Sequence, residues 1–452
     1  MSHYGRVPLM DWQRLLDDSR PAKPERVGAR LGRSEFQKDH DRLIFSEPFR
    51  MLGRKTQVHP LPRNDKVHNR LTHSLEVSCV GRSLGELVGR ELEARGELPP
   101  RVQTADIGAI VQAACLAHDI GNPPFGHAGE YAIRDWYSRQ PASFFDGFSA
   151  HCVQDLCTFE GNAQGFRMLT SLHDIVGIRL TSATLATFVK YPWCSTAPAA
   201  AARHGKYSCY ESEFRLMRDI FDAMGIPEVA SGVYARHPLA YLVEAADDIC
   251  YAIVDIEDGM EMEILRPAEV IAVFTDLLDD DLRAEFHAGR TGHGERQRIR
   301  WLRGKAIDGL VAECTAIFFA QYDAILAGEF AGTLVEAGPA RLRDGIAQAK
   351  QLARDEIFRH SRKTEVEIGA YSAVATLLAT CSEAAREQVA SSSPASLSYR
   401  SNRILQLMED QAPSHGFGIE EHYRRINDFV SALTDNQVTR LAQFARGNPI
   451  DG

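Results

Sequence analysis

The sequence predicts an all-α protein, on three observations. Apolar residues recur at helical spacing along most of the chain, few stretches alternate apolar and polar as a half-buried strand would, and no internal repeat is present. Its 452 residues can bury a large core and leave room for two or three domains. With 44% apolar and 25% charged residues the composition is that of an ordinary globular protein. No apolar run reaches membrane-spanning length, and the opening Met1-Ser2-His3-Tyr4-Gly5-Arg6 is not a signal peptide, so a cytoplasmic protein without membrane association is expected. Nine cysteines lack any Cys-x-x-Cys pair, which argues against a zinc ribbon or a disulfide scaffold. Cys115 and Cys250 fall on apolar helix faces and read as buried thiols. The expected architecture is one compact helical domain with a C-terminal helical extension.

Taken in order, residues 1–33 read as irregular apart from a short helix at Asp11–Asp18. Phe36, Leu43, Ile44, Phe49 and Leu52 predict two short helices broken at Pro48, and His59-Pro60-Leu61-Pro62 reads as a turn. Thr72 is placed as the cap of a helix from His73 to about Arg95, with Leu75, Val80, Leu84, Leu87 and Val88 inward. A helix from Thr104 carries Ile107, Ile110, Val111, Ala114 and Cys115 on one face and brings His118 and Asp119 to its last turn. Residues 141–151 read as a loop, and helix resumes near Gly161 with Phe166, Leu169 and Leu172 inward. A further helix ends between Phe188 and Pro192, and residues 197–205 read as an exposed loop. After Pro238 a long helix carries Leu242, Ala246, Ile249, Cys250, Ile253 and Ile256, and more helices follow at about 301–328, 341–360, 364–382, 400–411 and 419–445.

The stretch from His118 to Glu130 concentrates the polar chemistry. Gly121 reads as a left-handed exit from the preceding helix, and Pro123-Pro124 forbids its continuation. A new helix beginning near His127 puts His127 and Glu130 on one side of its first turn. Adjacent His and Asp suit a divalent cation such as Mn, Fe, Co, Ni or Zn, because neutral imidazole and carboxylate are both good ligands and the acid offsets charge. Two ligands are not a site, so others must come from elsewhere. After Pro238, Glu244, Asp247, Tyr251, Asp255 and Asp258 share one side of the helix. Alone, that stripe is an amphipathic helix showing acids to water, and Tyr251 is its discordant member.

Net charge is −10, against non-specific binding of nucleic acid by the whole surface. Yet Arg20 to Arg70 holds thirteen Lys or Arg against six acids, an excess that needs an anionic partner, intramolecular acids or solvent.

Three stretches together resemble a known family: Arg70-Leu71-Thr72-His73-Ser74-Leu75-Glu76-Val77, His118-Asp119-Ile120-Gly121-Asn122-Pro123-Pro124-Phe125-Gly126-His127, and Glu244-Ala245-Ala246-Asp247-Asp248-Ile249. They resemble the HD-domain superfamily in its deoxynucleoside triphosphate triphosphohydrolase branch, the bacterial dGTPase-like family. Asp39-His40-Asp41-Arg42-Leu43-Ile44-Phe45-Ser46, Lys55-Thr56-Gln57-Val58, Lys190-Tyr191-Pro192 and Asp428-Phe429-Val430-Ser431-Ala432-Leu433-Thr434-Asp435 are similar to the same branch, so the resemblance spans most of the chain.

The resemblance implies an HD-domain helical fold, with an N-terminal segment at 1–33, a catalytic core at 34–262 and a C-terminal helical region at 263–452 packing on that core. It implies metal-dependent hydrolysis of dGTP or several dNTPs to deoxynucleoside and intact triphosphate. One divalent cation (Mg, Mn, Co or Ni) would be held by His73, His118, Asp119 and Asp247. It would polarise the α-phosphate and acidify a water, with His127, oriented by Glu130, as general acid. Arg70, Lys190 and Lys206 would face the phosphates, with Tyr191 beside them, and Gln57 and Asn122 would line the sugar and α-phosphate. Tyr251 would stack where a 2′-hydroxyl would clash, and Asp255 would accept from the 3′-hydroxyl. The basic excess would then meet a triphosphate. The resemblance also admits an activating second dNTP, single-stranded DNA and a homo-oligomer, up to a hexamer, none of which the sequence decides. Two alternatives stay open: another HD phosphohydrolase acting on a nucleoside monophosphate or guanosine alarmone, and a non-catalytic helical nucleic-acid-binding protein.

Overall fold

Two long helices, Arg70–Ala94 and Thr104–Ala117, pack side by side and set the frame. They approach closely because glycines face the contact: a Cβ on Gly85 would lie 2.8 Å from Gly108 Cα, and one on Gly89 2.8 Å from Thr104 O. The first helix starts three residues earlier than expected. Asn69 is its cap, its side chain accepting from the Thr72 N–H while the Thr72 hydroxyl accepts from the Asn69 N–H. Both belong to one reciprocal capping box, which is why Thr72 carried the signal.

The helix Ala240–Glu261 packs on both of these. It is not the solvated amphipathic helix its stripe allowed: 16 of its 22 residues are buried, Glu244, Asp255 and Asp258 among them. Helices Pro267–Leu277, Glu295–Ala320 and Ala340–Leu352 close around it. The main core runs through Leu84, Ile110, Leu116, Ile253, Phe274 and Leu310. A second core of Tyr137, Phe159, Leu378, Tyr423 and Ile426 joins the helix His127–Ser138 to the C-terminal helices Ser361–Ala390 and Ile419–Ala432. Ile120 belongs to the first core and Ala132 to the second, so the turn between His118 and His127 sits where the two meet.

The computed structural model describes residues 9–21, 32–57, 66–170, 178–289, 294–359 and 361–448. Among them are 21 α-helices and one short hairpin, Glu228–Ala230 against Val233–Tyr234, so the fold is all-α. The expected turn at His59–Pro62 and the inward Leu172 lie outside the described residues. The stretch 197–205, read as a loop, contains the helix Pro198–Ala202, and the helix Ala150–Cys157 starts at the end of the stretch 141–151 read as a loop. The expected helix 419–445 is two, because Thr434 caps a new one at Asp435–Ala445. Helices at Glu211–Met224 and Asp280–His287 were not anticipated. No helix among the described residues is long and apolar enough to cross a membrane.

Candidate active site

The helix Thr104–Ala117 ends at His118, whose Nδ1–H donates to the Cys115 carbonyl at 2.6 Å. A carbonyl only accepts, so this bond fixes the tautomer and leaves Nε2 free as a ligand. Nε2 lies 3.8 Å from Asp119 Oδ1 and 3.7 Å from Asp247 Oδ1. His73, in the first turn of its helix, puts Nε2 3.2 Å from the same Asp247 oxygen, and the two imidazole rings are 5.4 Å apart. His73, His118 and Asp119 offer ligand atoms that all lie within 4.8 Å of one another. Arg70 at 2.6 Å and the Asn122 amide at 2.5 Å both donate to Asp119 Oδ1, while buried Asp119 Oδ2 and His73 Nδ1 have no partner.

Two imidazoles and two carboxylates drawn together, with a buried carboxylate oxygen unsatisfied, fit a divalent cation. Burial alone would raise the Asp247 carboxyl, but the His73 hydrogen bond and the positive surroundings, Lys190 among them, hold it well below the usual range. At Asp119 burial is likewise outweighed, chiefly by the Arg70 charge. Both acids are therefore ionised, as ligands must be.

Gly121 does not take the left-handed conformation expected of it. Its role is close approach: a Cβ there would stand 2.0 Å from both Gly161 O and Gly165 N. The left-handed residues are Phe125 (φ 63°) and Gly126 (φ 58°), immediately before His127. His127 Nδ1 is 3.0 Å from Glu130 Oε2, with His127 exposed and Glu130 buried. Glu130 also accepts the Gly161 N–H at 2.8 Å. Burial works against its charge, but His127, Lys206 and Arg134 overcome it and hold the carboxyl at about 2.

Lys206 reaches Glu160 at 2.5 Å and Glu130 at 3.9 Å. Lys190 stands 3.3 Å from Glu244, which also takes Arg236 at 2.7 Å. Tyr191 lies below both cations, 5.7 Å from Lys190 and 6.0 Å from Arg236. Tyr251 packs on Phe358 and under Lys350. Asp255 is buried with neither oxygen partnered, and Gln57 Oε1 is also buried without a partner.

The HD domain matches residues 70–261, the span that carries all four candidate ligands. A Pseudomonas aeruginosa protein named deoxyguanosinetriphosphate triphosphohydrolase-like is 47% identical over 97% of this chain and 99% of its own length. The chain belongs to this family. A Synechocystis member with the same name is 39% identical over 97% of this chain and 99% of its own. A deoxyguanosinetriphosphate triphosphohydrolase of Serratia proteamaculans is 32% identical over 76% of this chain and 75% of its own.

Within this chain, five of the nine described cations between Arg20 and Arg70 pair with its own acids. Arg20 pairs with Asp39 at 2.7 Å and Glu35 at 2.9 Å, Lys38 with Glu35, Arg33 with Asp41 and Lys66 with Glu261. Of the described cations in that stretch, Arg70 reaches the candidate ligands. Glu160, Arg236, Lys55 and Asp435 were missed. Glu160 and Arg236 answer charges on other elements, and no local spacing marks such partners. Lys55 and Asp435 lie inside quoted motifs, but their contacts are long-range.

Proposed function

We propose that the chain hydrolyses deoxynucleoside triphosphates to deoxynucleoside and intact triphosphate, on one divalent cation held by His73, His118, Asp119 and Asp247. The convergence of those four residues, with His127 and Glu130 on the next helix, carries the reading. Two imidazoles with two carboxylates suit Mn, Co or Ni better than Mg. When bound, the cation supplies positive charge to the α-phosphate and acidifies a water.

The protein's own groups do the rest. Arg70 and Asn122 hold one oxygen of Asp119 and leave the other for the cation. A water oxygen bonds to the α-phosphorus as the bond to O5′ breaks. O5′ leaves as an alkoxide unless protonated, and His127 Nε2 gives it that proton while Glu130 holds Nδ1–H. Lys190 and Lys206 keep their charge beside buried acids; at each, burial is opposed and outweighed, by Glu244 for Lys190 and by Glu130 and Glu160 for Lys206. They are the candidate phosphate contacts, with Arg236 added through Glu244. Tyr251 would pack on the sugar, and Asp255 would accept from its 3′-hydroxyl, the donor its two bare oxygens lack.

Triphosphate release from each of the four dNTPs in Mn²⁺, with bound metal counted in parallel, tests this. Wild type releases triphosphate and holds metal; Asp119→Ala keeps its helical spectrum and loses both. Wild-type metal content and turnover in Asp119→Ala would sink the assignment.

A further inference from the structure

The turn between Asp119 and His127 has few handles of its own. The Asn122 N–H donates to the Asp119 carbonyl at 3.1 Å, and Pro123 and Pro124 have no N–H to give. The first amide after them belongs to Phe125, which is held left-handed at φ 63° although it is not glycine, a conformation that costs about 1 kcal/mol or more unless its surroundings enforce it. That amide donates to Asp435 Oδ1 at 2.8 Å, across 310 residues of sequence. The other oxygen of Asp435 accepts the Thr56 N–H at 3.0 Å and the Thr56 hydroxyl. Asp435 is 1% exposed and opens the helix Asp435–Ala445, where a carboxylate is favoured by the helix N-terminus.

Beside it, Lys55 is buried and points its ammonium at two carbonyls: Asn122 at 2.8 Å and Ser431 at 2.5 Å. Asn122 is the residue whose amide holds Asp119. Two sets of hydrogen bonds therefore tie the C-terminal helices to the turn: one runs from Ser431 through Lys55 to Asn122, beside Asp119, and the other runs directly from Asp435, itself anchored by Thr56, to Phe125, two residues before His127.

We propose that Asp435 and Lys55 are positioning residues of the active site, which fix through Phe125 and Asn122 the spacing of Asp119 and His127. The C-terminal helices then belong to the catalytic machinery, and the matching stretches at Lys55–Gln57 and Asp428–Asp435 gain a common role. The catalytic part of this inference rests on the function proposed above; the mechanical part does not.

Asp435→Ala, Thr56→Val and Thr56→Ser are compared with wild type and with Leu378→Ala, a truncation in the same second core that removes none of the brace's hydrogen bonds. The readouts are kcat and KM for dNTP, melting temperature, and hydrogen exchange of the peptide spanning 119–130. Asp435→Ala lowers kcat about tenfold or more with KM within about twofold, as misplacement of a proton donor does. Exchange of the 119–130 peptide accelerates. Thr56→Val moves both readouts the same way by less, and Thr56→Ser restores them. Leu378→Ala lowers the melting temperature and moves neither. If Asp435→Ala and Thr56→Val leave kcat and exchange where Leu378→Ala leaves them, the proposal is wrong. Should Asp435→Ala not fold, Thr56→Val against Thr56→Ser decides. If wild type releases no triphosphate, the proposed function fails on that result, and the exchange data still judge the brace.

Discussion

Asp255 is 1% exposed and neither carboxylate oxygen has a hydrogen-bond partner, a state a folded protein keeps only where something else satisfies it. Burial, opposed by His73 and reinforced by Asp258 and Asp247, raises its carboxyl to about 7. If a 3′-hydroxyl is the missing donor, Asp255→Asn lowers dNTP turnover about tenfold to a hundredfold, the worth of a charge-assisted hydrogen bond. The same change matters less with 3′-deoxy analogues, and equal losses on both substrates would rule the contact out. If Tyr251 packs on the sugar, Tyr251→Ala opens space beside C2′ and narrows the gap between dNTP and NTP turnover; an unchanged gap would remove Tyr251 from the sugar site. His127 is oriented by the Glu130 carboxylate. Glu130→Gln keeps an acceptor for Gly161 but no longer supplies a negative charge to the imidazolium, so kcat falls about a hundredfold or more while KM moves little. A Glu130→Gln enzyme with wild-type kcat would remove His127 as the acid held by that carboxylate.

At the scale of elements, the catalytic turn depends on how tightly the segment after His118 lies on the helix Gly161–Thr170. A methyl group on Gly121 meets two backbone atoms of one turn of that helix, Gly161 O and Gly165 N, each at 2.0 Å, and backbone cannot rotate away. Gly121→Ala therefore destabilises by about 3 kcal/mol or more and lowers activity with it, and a melting curve matching wild type would show that the approach is looser than described. The role of Gly121 illustrates what the sequence hides. Its place after a helix end reads as a left-handed cap, whereas the close neighbours that demand glycine lie 40 residues or more ahead in the chain. By contrast the helix Thr104–Ala117 was legible as a helix from its local apolar spacing, but not as one buried nearly all round: 11 of its 14 residues are buried, where the sequence suggested a single buried face. The acid stripe from Glu244 to Asp258 was legible as a stripe but not as buried, since solvation depends on what covers it.

The whole molecule is tied by contacts that no window of sequence contains. His118, Asp119, His127 and Glu130 announce themselves by being adjacent, but Lys55 meets Ser431 across 376 residues and Thr56 meets Asp435 across 379. Another such tie is His237, fully buried, with Nε2–H donating to the Leu15 carbonyl at 3.2 Å and Nδ1 accepting the Leu239 N–H at 3.2 Å. Burial, slightly offset by the Leu15 bond, lowers its pKa from 6.5 to about 4. The unfolded chain thus takes up a proton that the folded one refuses. The stability this neutral histidine contributes is complete above pH 6.5 and is lost as pH falls to about 4, up to about 3 kcal/mol. Denaturant melts of His237→Gln should lose correspondingly less over that window, and parallel pH profiles would exclude the histidine as the cause. Hydrolysis of a dNTP in water enriched in ¹⁸O shows whether water attacks the α-phosphorus and breaks the bond to O5′. One heavy oxygen is expected in intact triphosphate and none in the deoxynucleoside; label in the deoxynucleoside, or pyrophosphate or single phosphate as the first product, would rule that attack out.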